Sequence, residues 1–244
     1  MMQKFIIPGI DSIPSKAVIH GQDAKHISKV LRLNKGNTID ITNGKGKDYT
    51  AIITCISPGN IEIDIIEGHD SLTESPINIT LCQGILKDKK MDLVIKHITQ
   101  LGIYEWIPFF CERSIPKPDE KRMEKRHQRW EIIAKESLKQ CRRSRLPIIS
   151  KPISFKQLLN RSVSHDLKIA FWEKATLQLD TLEKNPSIKK ILILIGPEGG
   201  FSENEIVQSS ENGFLSYSLG PRILRAETAS ISSCALIQHI LGDI

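Results

Sequence analysis

The chain has 244 residues, 40% hydrophobic and 25% charged, the composition of a globular protein with one or two domains and a substantial core. It contains no apolar run near eighteen residues and no signal-peptide pattern in Met1-Met-Gln-Lys-Phe-Ile-Ile-Pro8, so a cytoplasmic protein is expected. The net charge of +6 is uneven, with −1 in residues 1–75, +7 in 76–150 and 0 in 151–244, which favours a localised polyanion-binding face.

In chain order, residues 1–72 predict a small β-barrel with one helix. Strands are expected at Asn37–Thr42, Asp48–Ile56 and Asn60–Ile66. In the last of these Ile61, Ile63 and Ile65 alternate with Glu62 and Asp64, the period of a half-buried strand. Asn43-Gly44 and Ser57-Pro-Gly-Asn60 supply turns. Asp23–Leu33 predicts a short helix with His26, Lys29 and Arg32 along its polar side. Ser71–Pro76 is polar and ends in proline, and marks the domain boundary.

Residues 76–244 then alternate strands with helices. Strands are expected at Ile77–Ile85, Ile103–Phe110, Leu167–Trp172, Lys190–Ile195 and Phe214–Ser218. Helices are expected at Lys89–Leu101, 119–143, Ser202–Asn212 and Arg225–Ile240. That order predicts an α/β domain with a mostly parallel sheet covered on both faces. In the long helix, Met123, Trp130, Ala134, Ser137, Leu138 and Cys141 form the apolar stripe.

Two segments carry the chemistry. In the first, the apolar strand ending Leu194-Ile195 runs into Gly196-Pro-Glu-Gly-Gly200, where missing side chains permit a ligand to approach the backbone. Ser202 and Glu205 form a capping box for the next helix. The pattern is neither a P-loop nor a GxGxxG fingerprint. A tight strand-to-helix loop without a ligand is the plain alternative. In the second, Leu219-Gly-Pro-Arg-Ile-Leu-Arg-Ala-Glu-Thr-Ala229, two arginines crowd a helix N-terminus, where they oppose the helix dipole. Such a local conflict points to a functional duty; the alternative is a bracing pair of Arg225 with Glu227 or Glu198.

The segment 113–151 holds 13 Lys/Arg against 5 Asp/Glu, and its charge continues beyond the helix into Arg142, Arg143 and Arg145. Phosphate contact through backbone and shape is the reading, because aromatics are too scarce (5%) for a stacking platform. The five cysteines include no CxxC pair and the seven histidines show no ligand spacing, so no metal site is expected.

Gly196-Pro-Glu-Gly-Gly-Phe-Ser202 together with Leu219–Ala229 resembles the signature pair of the bacterial ribosomal RNA small subunit methyltransferase E family, within the SPOUT superfamily. His26-Ile-Ser-Lys-Val-Leu-Arg32, Gly84–Asp92 and Leu101-Gly102 resemble its other motifs, so the likeness covers the whole chain. The resemblance implies a PUA-like barrel over residues 1–72 and a trefoil-knotted SPOUT α/β methyltransferase domain over 76–244. It also implies a homodimer that uses S-adenosyl-L-methionine to methylate N3 of a uridine in 16S rRNA of the small ribosomal subunit. Gln100, Lys139 and Arg142 depart from the family pattern, the last two strengthening the basic patch.

On that basis, cofactor contacts are expected from Leu194, Ile195, Gly196, Pro197, Glu198, Gly199 and Gly200, and from Leu219, Gly220, Ile223, Leu224, Arg225, Thr228 and Ala229. Arg225 is expected to stabilise negative charge on the base, with Glu227 as orienter or proton acceptor. The expected RNA-contacting set is His26, Lys29, Arg32, Lys87, Arg113, Arg142, Arg143 and Arg145. Two rival functions share many of these features: a ribose 2′-O-methyltransferase, and a non-catalytic RNA-binding assembly factor.

Overall fold

Period-two isoleucines build the first of two compact units, which comprises residues 1–74 together with 138–146. The structure, a computed structural model, describes residues 4–10, 15–87, 89–114 and 119–244. Asp88 of the central motif and Lys117 of the basic segment lie outside the described residues.

The first unit is a five-stranded sheet, β1 (Lys4–Ile6), β2 (Ser15–His20), β3 (Thr38–Thr42), β4 (Lys47–Ser57) and β5 (Asn60–Asp70), in the order β1-β3-β4-β5-β2. Register shifts in the β4–β5 ladder at Thr50/Ala51 and Ile53/Cys55 mark irregularities of the kind that bends a sheet. Ile61, Ile63 and Ile65 all face the core, with Phe5, Ile39, Ile41 and Ile53. The expected helix is instead a short α1 (Gly21–Lys25) continued by a π-helical turn, His26–Val30, after which Arg32 takes φ +51°. A π turn fits because it sends Ile27 inward while the polar residues stay out.

Residues 138–146 were expected with the second unit and lie in the first. Buried polar bonds tie them there. Lys4 Nζ donates to Asp48 Oδ2, to the Arg142 carbonyl and to Ser144 Oγ, each at 2.8 Å. The Ser144 and Arg145 amides both donate to Glu74 Oε1.

The second unit, residues 75–137 with 147–244, is built on an eight-stranded sheet. Its strands are β6 (Asn78–Gly84), β7 (Glu105–Phe110), β8 (Ile148–Ile149), β9 (Ile153–Ser154), β10 (Leu167–Phe171), β11 (Leu177–Gln178), β12 (Lys190–Ile195) and β13 (Leu215–Ser218). The order is β11-β13-β10-β12-β6-β7-β8, with β9 also on β7, and every described pairing is parallel. The unit's α-helices are α2 (Lys90–Gln100), α3 (Glu120–Cys141), α4 (Phe155–Arg161), α5 (Glu203–Glu211) and α6 (Ala226–Leu241), with single 3-10 turns at Ser162–Ser164 and Leu179–Thr181. Both faces are buried, as expected: Ile79, Leu81, Ile191, Ile193 and Ile195 enter one core, and Cys82, Leu192 and Leu194 the other.

Two glutamines fasten this unit from inside. Gln238 of α6, fully buried, donates to the Leu101 carbonyl at 2.8 Å and accepts from Ser75 Oγ at 2.9 Å. A Cβ on Gly102, whose φ is +80°, would lie 2.7 Å from the Gln238 amide nitrogen, which explains the glycine there. Gln83 of β6 is the second such residue.

Candidate active site

Because the sheet is parallel, the C-terminal ends of β10, β12 and β13 open onto one edge, where α/β proteins hold ligands. A cavity of about 490 Å³ lies there. The Gly196–Gly200 loop forms one wall and the chain from Ser218 through Ala229 contributes another. A third wall, Phe171, Trp172 and Glu173, follows β10, and Lys90 enters from the start of α2. The two segments singled out from sequence therefore do meet.

Twelve of the fourteen expected cofactor residues line the cavity. Leu194 does not: strand alternation turns it into the opposite core, and Ile195 takes the cavity side. Thr228 is exposed on α6 and does not line the cavity either. Lys90, Phe171, Trp172, Glu173, Phe201, Ser218, Arg222 and Ala226 were not expected and do line it.

The first loop is held at several points. The expected capping box is present: the Glu205 amide donates to Ser202 Oγ and the Ser202 amide to Glu205 Oε2. Gly200 has φ +68° and its amide closes the turn onto the Pro197 carbonyl at 2.9 Å. Arg113 donates to the Gly199 carbonyl at 3.1 Å, and a Cβ on Gly199 would press on Arg113 at 3.3 Å.

Lys90 is the electrostatic centre of the rim. Its ammonium stands 3.0 Å from Glu198 Oε1 and 3.6 Å from Glu227 Oε2. The Glu198 hydrogen bond is the main reason its pKa is raised above the ordinary lysine value. Burial would push the Glu198 carboxyl up, but the Lys87 amide and Lys90 outweigh it and hold it below the usual range. The bracing alternative is thus met by a different cation: Lys90, not Arg225, pairs with Glu198 and Glu227. Arg225 caps α6 with extended backbone, makes no side-chain cap bond, and lines the cavity. Glu227 is buried, and its Oε2 has no hydrogen-bond partner beyond the ionic contact with Lys90.

A family profile described as an RNA methyltransferase domain matches residues 73–238, and one described as an RNA methyltransferase PUA domain matches 19–66. The chain is 31% identical to a ribosomal RNA small subunit methyltransferase E from Bacillus subtilis, over 98% of this chain and 96% of the relative. The chain belongs to the ribosomal RNA small subunit methyltransferase E family. It is likewise similar to the namesake from Buchnera aphidicola, at 33% identity over 91% of this chain and 87% of that one. A solved structure of the methyltransferase E from Neisseria gonorrhoeae, bound to S-adenosyl methionine, matches with TM-score 0.90 at 30% identity over the full length of both chains.

Within this methyltransferase E fold, the expected RNA-contacting residues fare unequally. Lys29 and Arg32 are exposed, and His26 is half-buried with its ring edge-on to Phe5. The Lys87 and Arg113 side chains are exposed. Arg142 lies 3.9 Å from Asp40, and Arg145 is half-buried against Gly46. Arg143 is corrected: it is 3% exposed and bonded to Glu74 at 2.8 Å, so it is a buried ion pair and not a surface phosphate contact. Lys139 is likewise bonded to Asp23 at 2.8 Å. The strengthening of the basic patch expected from this segment is in large part neutralised internally.

Proposed function

We propose that this protein methylates N3 of a uridine in 16S rRNA, using S-adenosylmethionine, as a cytoplasmic homodimer with a trefoil-knotted catalytic domain. The observation that carries the reading is the cavity framed by both family signature loops at the C-terminal edge of the sheet. Its size suits a nucleoside-sized ligand. Its lining fits the cofactor too: apolar Phe171, Ile195, Leu219 and Leu224 for an adenine, and carboxylates Glu173 and Glu198 near a cationic group. Relatives bearing the family name, one of them crystallised with S-adenosyl methionine, support the same assignment.

Bound there, the cofactor supplies a methyl group already activated on a sulfonium. What remains for the chain is alignment and charge. The Gly196–Gly200 and Leu219–Ala229 backbones orient the ligand, a contribution of several kcal/mol when the reacting atoms are held in line. As the N3–methyl bond forms and the methyl–sulfur bond breaks, the N3 proton passes to solvent water, so negative charge develops on the base. Arg225 lines the cavity without an ion-pair partner among the described residues and is suited to meet that charge. Glu227 is buried, paired with Lys90 and absent from the cavity lining, which supports an orienting role rather than direct contact. N3 sits on the pairing edge, so the uridine must be unpaired or flipped out. Lys29 and Arg32 of the first unit, and Lys87 and Arg113 of the second, supply phosphate contacts.

The decisive experiment incubates the protein with labelled cofactor and unmodified small subunits, then maps the methyl group. A methyl on N3 of one 16S uridine is expected. A methyl on a ribose 2′ oxygen would establish the related reaction instead, and an absence of cofactor binding by calorimetry would mean a non-catalytic RNA-binding factor.

A further inference from the structure

We propose that Gln83 is the positioning residue of this cavity, one side chain that fixes both signature loops; the inference rests on the methyltransferase reading and deepens it. Gln83 is the penultimate residue of β6, the strand paired with β12, and is fully buried. A carboxamide in that position is costly unless its hydrogen-bonding groups are met. They are met, by the two loops.

The Gln83 amide nitrogen donates to the Gly196 carbonyl at 3.2 Å and to the Gly84 carbonyl at 3.0 Å. Its carbonyl oxygen accepts from Ser230 Oγ, itself fully buried. Gly196 opens the first loop. Ser230 stands one turn into α6, immediately after the second. A single amide therefore couples the first wall to the helix that carries Arg225 and Glu227 at its start.

Beyond the buried capping box at its helical end, three anchors reach the first loop from other segments among the described residues: the Lys87 amide and Lys90 on Glu198, and Arg113 on Gly199. All of those are exposed to solvent, whereas the bond from Gln83 is buried. A buried bond is stronger and less screened than an exposed one. The neighbouring Gly84 supplies the matching gap, since a Cβ there would lie 2.6 Å from the Pro197 nitrogen. Donor and gap together seat the Gly196-Pro197 peptide on the end of β6. Gln83 touches no ligand itself; it acts through the loop.

The test compares Gln83→Leu, Gln83→Glu and Ser230→Ala with the unaltered protein. It measures S-adenosylmethionine affinity by calorimetry, melting, and hydrogen exchange at the Gly200 amide. Gln83→Leu loses the donor to Gly196, whereas the buried carboxyl of Gln83→Glu, favoured in its protonated form, keeps one O–H donor. Gln83→Leu should keep a cooperative melt, exchange faster at Gly200, and bind the cofactor about tenfold more weakly, the scale of one lost buried hydrogen bond, with Gln83→Glu between it and the unaltered protein. Ser230→Ala keeps that donor and should stay within about threefold of the unaltered protein, since only a partly compensated contact is lost. Undiminished affinity and unchanged Gly200 exchange in folded Gln83→Leu would overturn the proposal. So would a Ser230→Ala defect equal to that of Gln83→Leu, which would assign the effect to helix packing. If the unaltered protein itself fails to bind the cofactor, the functional reading fails, while the Gly200 exchange comparison still decides the role of Gln83.

Discussion

The Lys90 ammonium lies 3.6 Å from Glu227 Oε2, a buried oxygen with no hydrogen-bond partner, while also bonding Glu198 at 3.0 Å. One cation from α2 thus holds a carboxylate from each signature segment. Replacing Lys90 with methionine strands the Glu227 charge. Because Lys90 is about one-third exposed, the expected loss is about 1–2 kcal/mol, below that of a fully buried pair. Adding Glu227→Gln to Lys90→Met should restore part of the stability. Urea unfolding of both single variants and the double gives the coupling directly, and strict additivity would contradict the pairing.

Arg225 has a separable role. Arg225→Ala should bind S-adenosylmethionine within a few-fold of the unaltered protein, yet lose roughly 10²-fold or more in turnover, the scale of removing one donor from a developing anion. Single-turnover methylation alongside cofactor calorimetry measures the two effects. Full turnover in Arg225→Ala would end its assignment to the chemistry.

The basic residues expected to contact RNA divide by burial. Lys29→Ala and Arg32→Ala should each lower the slope of log affinity against log salt by about 0.7–0.9, one phosphate apiece. Arg143→Ala should leave that slope unchanged. It should instead destabilise the protein by roughly 2–4 kcal/mol, because Glu74 is left buried without its guanidinium. Filter binding across a salt series, with denaturant melts, separates these outcomes.

The Glu198 carboxyl is held below its ordinary pKa, so its contribution to stability is present above the unfolded value and is lost as pH falls through the depressed folded value. Lys90 is held above its ordinary value, and its contribution disappears only at alkaline pH. Between the two ranges the rim pair is fully charged. Glu198→Gln should therefore flatten the acid limb of stability, below the ordinary carboxylate range, by a few tenths to about 1 kcal/mol, and leave the neutral plateau shape unchanged. Melting temperature followed from pH 3 to 7 checks the sign.

Much of this was legible in the sequence because strand period and loop composition are local. Ile61, Ile63 and Ile65 declared their face, and the Gly196–Gly200 and Leu219–Ala229 turns declared a common pocket. Local pattern could not say which of Leu194 and Ile195 faces that pocket, because a strand buried on both sides is apolar at every position. Trp172, at the end of an expected strand, and Glu173 carry no local mark of a pocket, since the residues that follow include no glycine or proline. Lys90 was one lysine among several, and its partner Glu198 is 108 residues away. Arg143 was read by its charge, but Glu74, 69 residues earlier, decides what that charge does. Long-range pairing is what composition and periodicity leave out.

The stitching of residues 138–146 into the N-terminal unit bears on how the chain is made. Lys4 bonds Ser144 across 140 residues, and Glu74 waits for Arg143 and the Ser144 and Arg145 amides. During synthesis the first 74 residues leave the ribosome with Lys4, Asp48 and Glu74 lacking those partners, and their unit closes only after residue 146 has emerged. The unit whose translation begins first thus waits for a segment from the middle of the chain, and a fragment ending at Glu74 lacks the piece that completes it.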